Sequence, residues 1–115
     1  MLTYRVDGDG EPLVLLNGGL MSISAWQPFI APLTTRYRVV RCDFRGQLQT
    51  PGPLPDTWEE HADDVAELLD ELKIERAHIA GASFGGEVAM FLAALHPTRV
   101  ERLTVITATD YTTEE

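Results

Sequence analysis

The 115-residue chain sets 9 Lys+Arg against 18 Asp+Glu, a formal net charge of −9, so it has no basic stripe with which to replace the counterions of a nucleic-acid backbone. Hydrophobic residues make up 44% and charged residues 23%, the balance of one globular domain with a single core rather than of a disordered segment. The longest apolar run, Val88 to Leu95, is too short to cross a bilayer. No signal-peptide pattern opens the sequence, and a lone Cys42 at the end of an apolar run reads as a buried, inert thiol in a reducing compartment. The expectation is a cytoplasmic protein with neither nucleic acid nor membrane as partner.

Leu2 to Val6 alternates loosely and reads as a strand, and Asp7-Gly8-Asp9-Gly10 reads as a tight reversal. Leu13 to Leu16 is a continuous apolar run, the signature of a strand covered on both faces. Asn17-Gly18-Gly19-Leu20 is then a loop at its carboxyl end. Trp26 to Leu33 predicts a short helix around Pro28 and Pro32, and Tyr37 to Cys42 a second strand. Asp43 to Pro55, with Gly46, Gly52 and three prolines, predicts no regular structure. Thr57 followed by Glu60 is a capping-box pattern, and Ala62, Val65, Leu68, Leu69 and Leu72 fall on one helical face ending near Lys73. Ala77 to Ala80 is the next strand. Phe84 to Leu95, apolar on nearly every side, predicts a buried helix closed by Pro97. Leu103 to Ala108 is the last strand. Strands alternating with helices mean a mostly parallel sheet between helical layers, an α/β fold of three αβα layers.

The stretch that carries chemistry is Ala80-Gly81-Ala82-Ser83-Phe84-Gly85-Gly86. Glycines two before and two after a serine, between a strand and a helix, form a nucleophile-elbow pattern, with the hydroxyl of Ser83 lifted above the sheet. The plainer reading is a Gly-rich turn with a solvated serine. Glu59, Glu60, Asp63 and Asp64 cluster on the capped helix, but without His or Cys at ligand spacing beyond His61 they read as a solvated face. No metal and no cofactor is expected.

With these elements in order, the chain resembles the α/β-hydrolase family over nearly its whole length, as the N-terminal part (residues 1–115) of a single α/β-hydrolase domain. Asn17-Gly18-Gly19 stands where that family has a His-Gly-x loop after its third strand, and the asparagine resembles the enol-lactonase branch. Asp43-Phe44-Arg45-Gly46 matches the family's Asp-x-Arg-Gly loop, although Gln47-Leu48-Gln49-Thr50 departs from its usual continuation. His96-Pro97 before Arg99-Val100 matches a structural pattern after the elbow helix. The resemblance implies a serine hydrolase working through an acyl-serine on a small-molecule ester or lactone. Ser83 would be the nucleophile, and the backbone N–H groups of Phe84 and Gly19 the oxyanion hole. Gly81 and Gly85 would be the elbow glycines.

The resemblance also implies what is missing. The family orders its triad Ser, acid, His, with the histidine after the eighth strand, whereas this sequence ends after what corresponds to the sixth. His61, His78 and His96 read as core or surface residues. Asp110 reads either as the orienting acid or as an ordinary loop residue. The expectation is therefore an incomplete α/β-hydrolase fold, inactive alone, whose open sheet edge invites self-association or a second chain completing the sheet. Two alternatives stay open: a non-catalytic binding or assembly fragment, including half of a two-chain enzyme, and other acyl-transfer or cofactor-free haloperoxidase-like chemistry on the same fold.

Overall fold

The computed structural model describes residues 2–18, 23–44 and 57–106. Among these residues five strands, β1 (Tyr4–Asp7), β2 (Glu11–Leu16), β3 (Tyr37–Cys42), β4 (Ala77–Ala82) and β5 (Val100–Ile106), form one sheet in the order β1-β3-β2-β4-β5. Every pairing is parallel except that of β1 with β3. Three α-helices among the described residues lie between successive strands from β2 to β5: α1 (Gln27–Leu33), α2 (Trp58–Glu71) and α3 (Phe84–Leu95).

β2 is central, which is why Leu13, Val14, Leu15 and Leu16 are all buried. Its side chains alternate between two cores. Val14 and Leu16, with Val40, Cys42 and Ile79 of the neighbouring strands, pack against Val65, Leu68 and Leu69 of α2 and Val88 and Leu92 of α3. Leu13 and Leu15, with Val39, meet Trp26 and Ile30 at α1. α1 is only seven residues long and covers little of its face. A groove of about 580 Å³ remains between it and β5, with Leu15, Phe29, Ile79, Thr104 and Ile106 among its walls. Phe29, Leu103 and Ile106 are exposed there and on β5.

α2 begins as its capping box requires. Thr57 Oγ1 accepts from the Glu60 N–H and Glu60 Oε1 from the Thr57 N–H, each at 3.2 Å. Lys73, at φ 59°, turns the chain out of the helix. The Asp7–Gly10 reversal forms with its two positive-φ glycines and joins β1 to β2, which β3 separates in the sheet. The turn crosses over the start of β3, where a Cβ on Gly8 would sit 2.5 Å from the Tyr37 carbonyl oxygen and 2.9 Å from Thr34 Cβ. Two expectations need correction. α3 is not buried all round: Met90 and Leu95 are exposed, because only one side of the helix meets the sheet and α2. β5 starts at Val100, three residues before the expected Leu103, its parallel register with β4 beginning at Ala77–Val100. The positions 107 and 108 assigned to it lie outside the described residues.

Candidate functional site

The chain changes direction at β2. From β2 it passes through α1 to β3 on one side, whereas β4 and β5 lie on the other. The carboxyl ends of the adjacent strands β2 and β4 therefore form the topological switch point, the place where ligands bind in open α/β sheets. Asn17 and Gly18 leave one of these strand ends and Ser83 the other.

Ser83 joins β4 to α3 with φ 54° and ψ −113°, a combination that L-residues seldom adopt and that persists only where surrounding structure imposes it. Its N–H donates to the Ile106 carbonyl at 2.8 Å, and its carbonyl accepts from the Glu87 N–H at 3.1 Å. The side chain is exposed and caps no helix amide. The hydroxyl therefore stands clear at the start of a 12-residue helix, beside the partial positive charge of the helix N-terminus.

The glycines on either side are set by close approach. A Cβ on Gly81 would run into the Gly85 carbonyl oxygen, and one on Gly85 into the Leu16 carbonyl oxygen, with the Asn17 carbonyl oxygen at 2.5 Å. The first turn of α3 thus lies directly on the end of β2, and bare Cα atoms are what let Ser83 and Asn17-Gly18 share one crevice. Phe84 supplies the first helical N–H, one of four that a helix start leaves without an intrahelical acceptor. Its ring points into an aromatic cluster, with centroids 5.3 Å from Phe44, 4.8 Å from Trp58 and 5.1 Å from His61.

The structure gives Asn17 a larger part than its place in the Asn-Gly-Gly loop implies. It is fully buried. Its Nδ2 donates to the Cys42 carbonyl at 2.7 Å and to Asp43 Oδ1 at 3.0 Å, and its Oδ1 accepts from the Trp26 indole N–H at 2.6 Å. Asp43 of the expected Asp-x-Arg-Gly loop is buried with it. A single indole N–H needing a buried acceptor was the available signal. Buried Arg41 was also missed; it bridges Asp7 at 2.8 Å and Gln27 at 3.2 Å on the α1 side of the sheet.

The three histidines lie as read. His61 is buried between the rings of Phe44 and Phe84. His78 is at the amino end of β4, opposite Ser83, 2.6 Å from Glu11, and its hydrogen bond and charge hold the Glu11 carboxyl below its ordinary value. His96 follows α3, 2.9 Å from Asp63. Cys42 is buried, and desolvation, reinforced by the negative charges of Asp43 and Asp64, pushes its thiol up to about 12. Gly19, Asp110 and the stretch from Arg45 to Thr50 lie outside the described residues. Among those described, no group of three His, Cys, Asp or Glu side chains gathers where it could hold a metal, and no helix is long and apolar enough to cross a membrane.

A parallel sheet with a strained serine turn at its switch point defines a class of α/β proteins, and comparison with known proteins narrows it. Residues 11–115 match the alpha/beta hydrolase fold family, and the chain belongs to that family. It is 35% identical over 106 residues to an Azorhizobium caulinodans protein named carbamate hydrolase RutD, covering 91% of this chain and 40% of that one. It is 34% identical over 106 residues to 3-oxoadipate enol-lactonase 1 of Acinetobacter baylyi, covering 90% and 40%. Among solved structures it superposes on the enol-lactonase of Burkholderia xenovorans LB400 with a TM-score of 0.84 and 40% identity, covering 89% of this chain and 41% of the other. The chain spans about two fifths of the length of the relatives it matches.

Proposed function

We propose that this chain carries the nucleophile and part of the oxyanion hole of a serine hydrolase that cleaves a carboxylic ester or lactone through an acyl-serine. The observation that carries the reading is the backbone of Ser83, φ 54° and ψ −113°, holding an exposed hydroxyl between β4 and α3. Enol-lactonases among the relatives support the substrate class. In this reading Ser83 Oγ attacks the carbonyl carbon as a base takes its proton. The N–H groups of Phe84 and Gly19 receive the charge that collects on the carbonyl oxygen, each donor contributing about 3–4 kcal/mol in the transition state. The leaving alkoxide or enolate takes the proton, and water then releases the acid from Ser83. Asp110 is proposed as the acid that orients the base, a histidine supplied from outside these 115 residues. The buried, unreactive Cys42 is consistent with a cytoplasmic protein.

The reading is tested by p-nitrophenyl acetate hydrolysis and fluorophosphonate labelling of the protein expressed from its native reading frame. Turnover with an adduct on Ser83 supports it; turnover without one sinks it. A second proposal concerns partners. The open groove beside β5 and the exposed Leu103 and Ile106 favour a second chain or a second copy completing the sheet. Sedimentation velocity tests this, and a monodisperse monomer whose activity is indifferent to any added polypeptide would refute it.

A further inference from the structure

We propose that Asn17 is the positioning residue of this site, its side-chain amide fixing the 17–18 backbone against the Ser83 turn; the inference rests on the acyl-transfer reading above. Among the described residues the ladders of β2 with β3 and β4 both end at Leu16, against Cys42 and Gly81. Asn17 continues the attachment through its side chain. The indole of Trp26 can only donate, so the Asn17 oxygen must face it and the amide nitrogen must face the Cys42 carbonyl and Asp43. Only one orientation of the amide satisfies all three bonds.

The three partners come from separate segments: the 3₁₀ turn Ile23–Trp26 before α1, the end of β3, and the loop that follows it. On its other side the Asn17 carbonyl lies against Gly85, where not even a Cβ would fit. Residue 17 is therefore clamped between a side-chain network and the first turn of the serine helix. A buried amide whose three hydrogen bonds run to three different partners adds little net stability over apolar packing but specifies one geometry. Gly18, next in the chain, inherits that geometry.

The test uses Asn17→Asp, which is isosteric but sets an acceptor against Cys42 O and Asp43, the double variant Asn17→Asp/Asp43→Asn, which restores a donor–acceptor pair between the two positions, and Trp26→Phe, which removes only the indole donor. Hydrogen exchange is followed in peptides covering 17–18 and 84–87, with α2 as control. The kcat and KM for p-nitrophenyl acetate are measured alongside. For Asn17→Asp, exchange at both segments should rise about tenfold while α2 is unchanged. Its kcat should fall about 10- to 100-fold at unaltered KM, with partial recovery in the double variant. Trp26→Phe should give a smaller change of the same pattern, and it decides the matter if Asn17→Asp does not fold. Unchanged exchange and kcat, or acceleration spread evenly over α2 as well, would overturn the proposal. A parent protein that neither labels nor turns over would instead refute the acyl-transfer reading, and the exchange measurement would still decide whether Asn17 sets the turn.

Discussion

The two ends of the parallel strands put polar groups to different use. At the amino ends, Glu11 meets His78 at 2.6 Å and Arg76 meets Glu101 at 3.2 Å, with Glu11, Arg76 and Glu101 all exposed. Pairs of this kind are screened by solvent and hold little in place. At the carboxyl ends, Asn17 and Asp43 are fully buried and bonded to one another, and Ser83 is held at a backbone angle it would not choose. Burial makes hydrogen bonds directional and costly to mismatch. Polar side chains therefore ornament one rim of the sheet and fix geometry at the other.

The largest effect that would test this contrast is on turnover. Ser83→Ala should reduce kcat by about 10⁴- to 10⁶-fold, as loss of a nucleophile does, with an unchanged thermal midpoint. Ser83→Gly should be equally inactive yet about 1 kcal/mol more stable, because glycine accepts a positive φ without strain; a destabilised Ser83→Gly would deny that the turn is strained. Next comes Gly85→Ala, whose methyl meets backbone oxygens that cannot swing aside. Chemical denaturation should show a loss of about 2–3 kcal/mol, and an unperturbed variant would mean that α3 does not press on β2.

Cys42 tests the burial of the carboxyl rim more gently. Its folded pKa is raised from 9.0 to about 12, so the stability tied to the neutral thiol is complete below pH 9 and is lost as pH rises from there towards 12. Thiol reagents should leave the native protein unmodified at pH 8 and react on unfolding. Smallest of all is the amino rim. Because Glu11 is lowered by His78, the stability that pair supplies is present above about pH 4.5 and disappears as pH falls through the lowered Glu11 value. His78→Ala should remove that increment and leave any activity intact, which acid titration of the two proteins measures. A loss of turnover in His78→Ala would erase the distinction between the rims.

Much of this fold is local enough to be read from the chain. The capping box at Thr57 and the covered strand at Leu13 to Leu16 each sit within a few residues and form as expected, and the glycine-flanked Ser83 does lie between a strand and a helix. What escaped reading is long-range. The bonds of Asn17 to Trp26, Cys42 and Asp43 span 9, 25 and 26 residues, and Arg41 reaches 34 residues to Asp7. Only the assembled sheet brings such groups together. The all-apolar pattern of α3 misled for a related reason: composition says that a helix can be covered, and the neighbours decide whether Met90 and Leu95 are. The Asp7–Gly10 turn was local enough to read, but that β3 lies between the strands it joins was not.

The most direct test is peptide mapping of the fluorophosphonate adduct on the protein expressed from its native reading frame, beside its Ser83→Ala variant. A single adduct on the peptide containing Ser83, absent from the variant along with ester hydrolysis, is the result expected. Hydrolysis that persists in Ser83→Ala, or an adduct on any other residue, would contradict it.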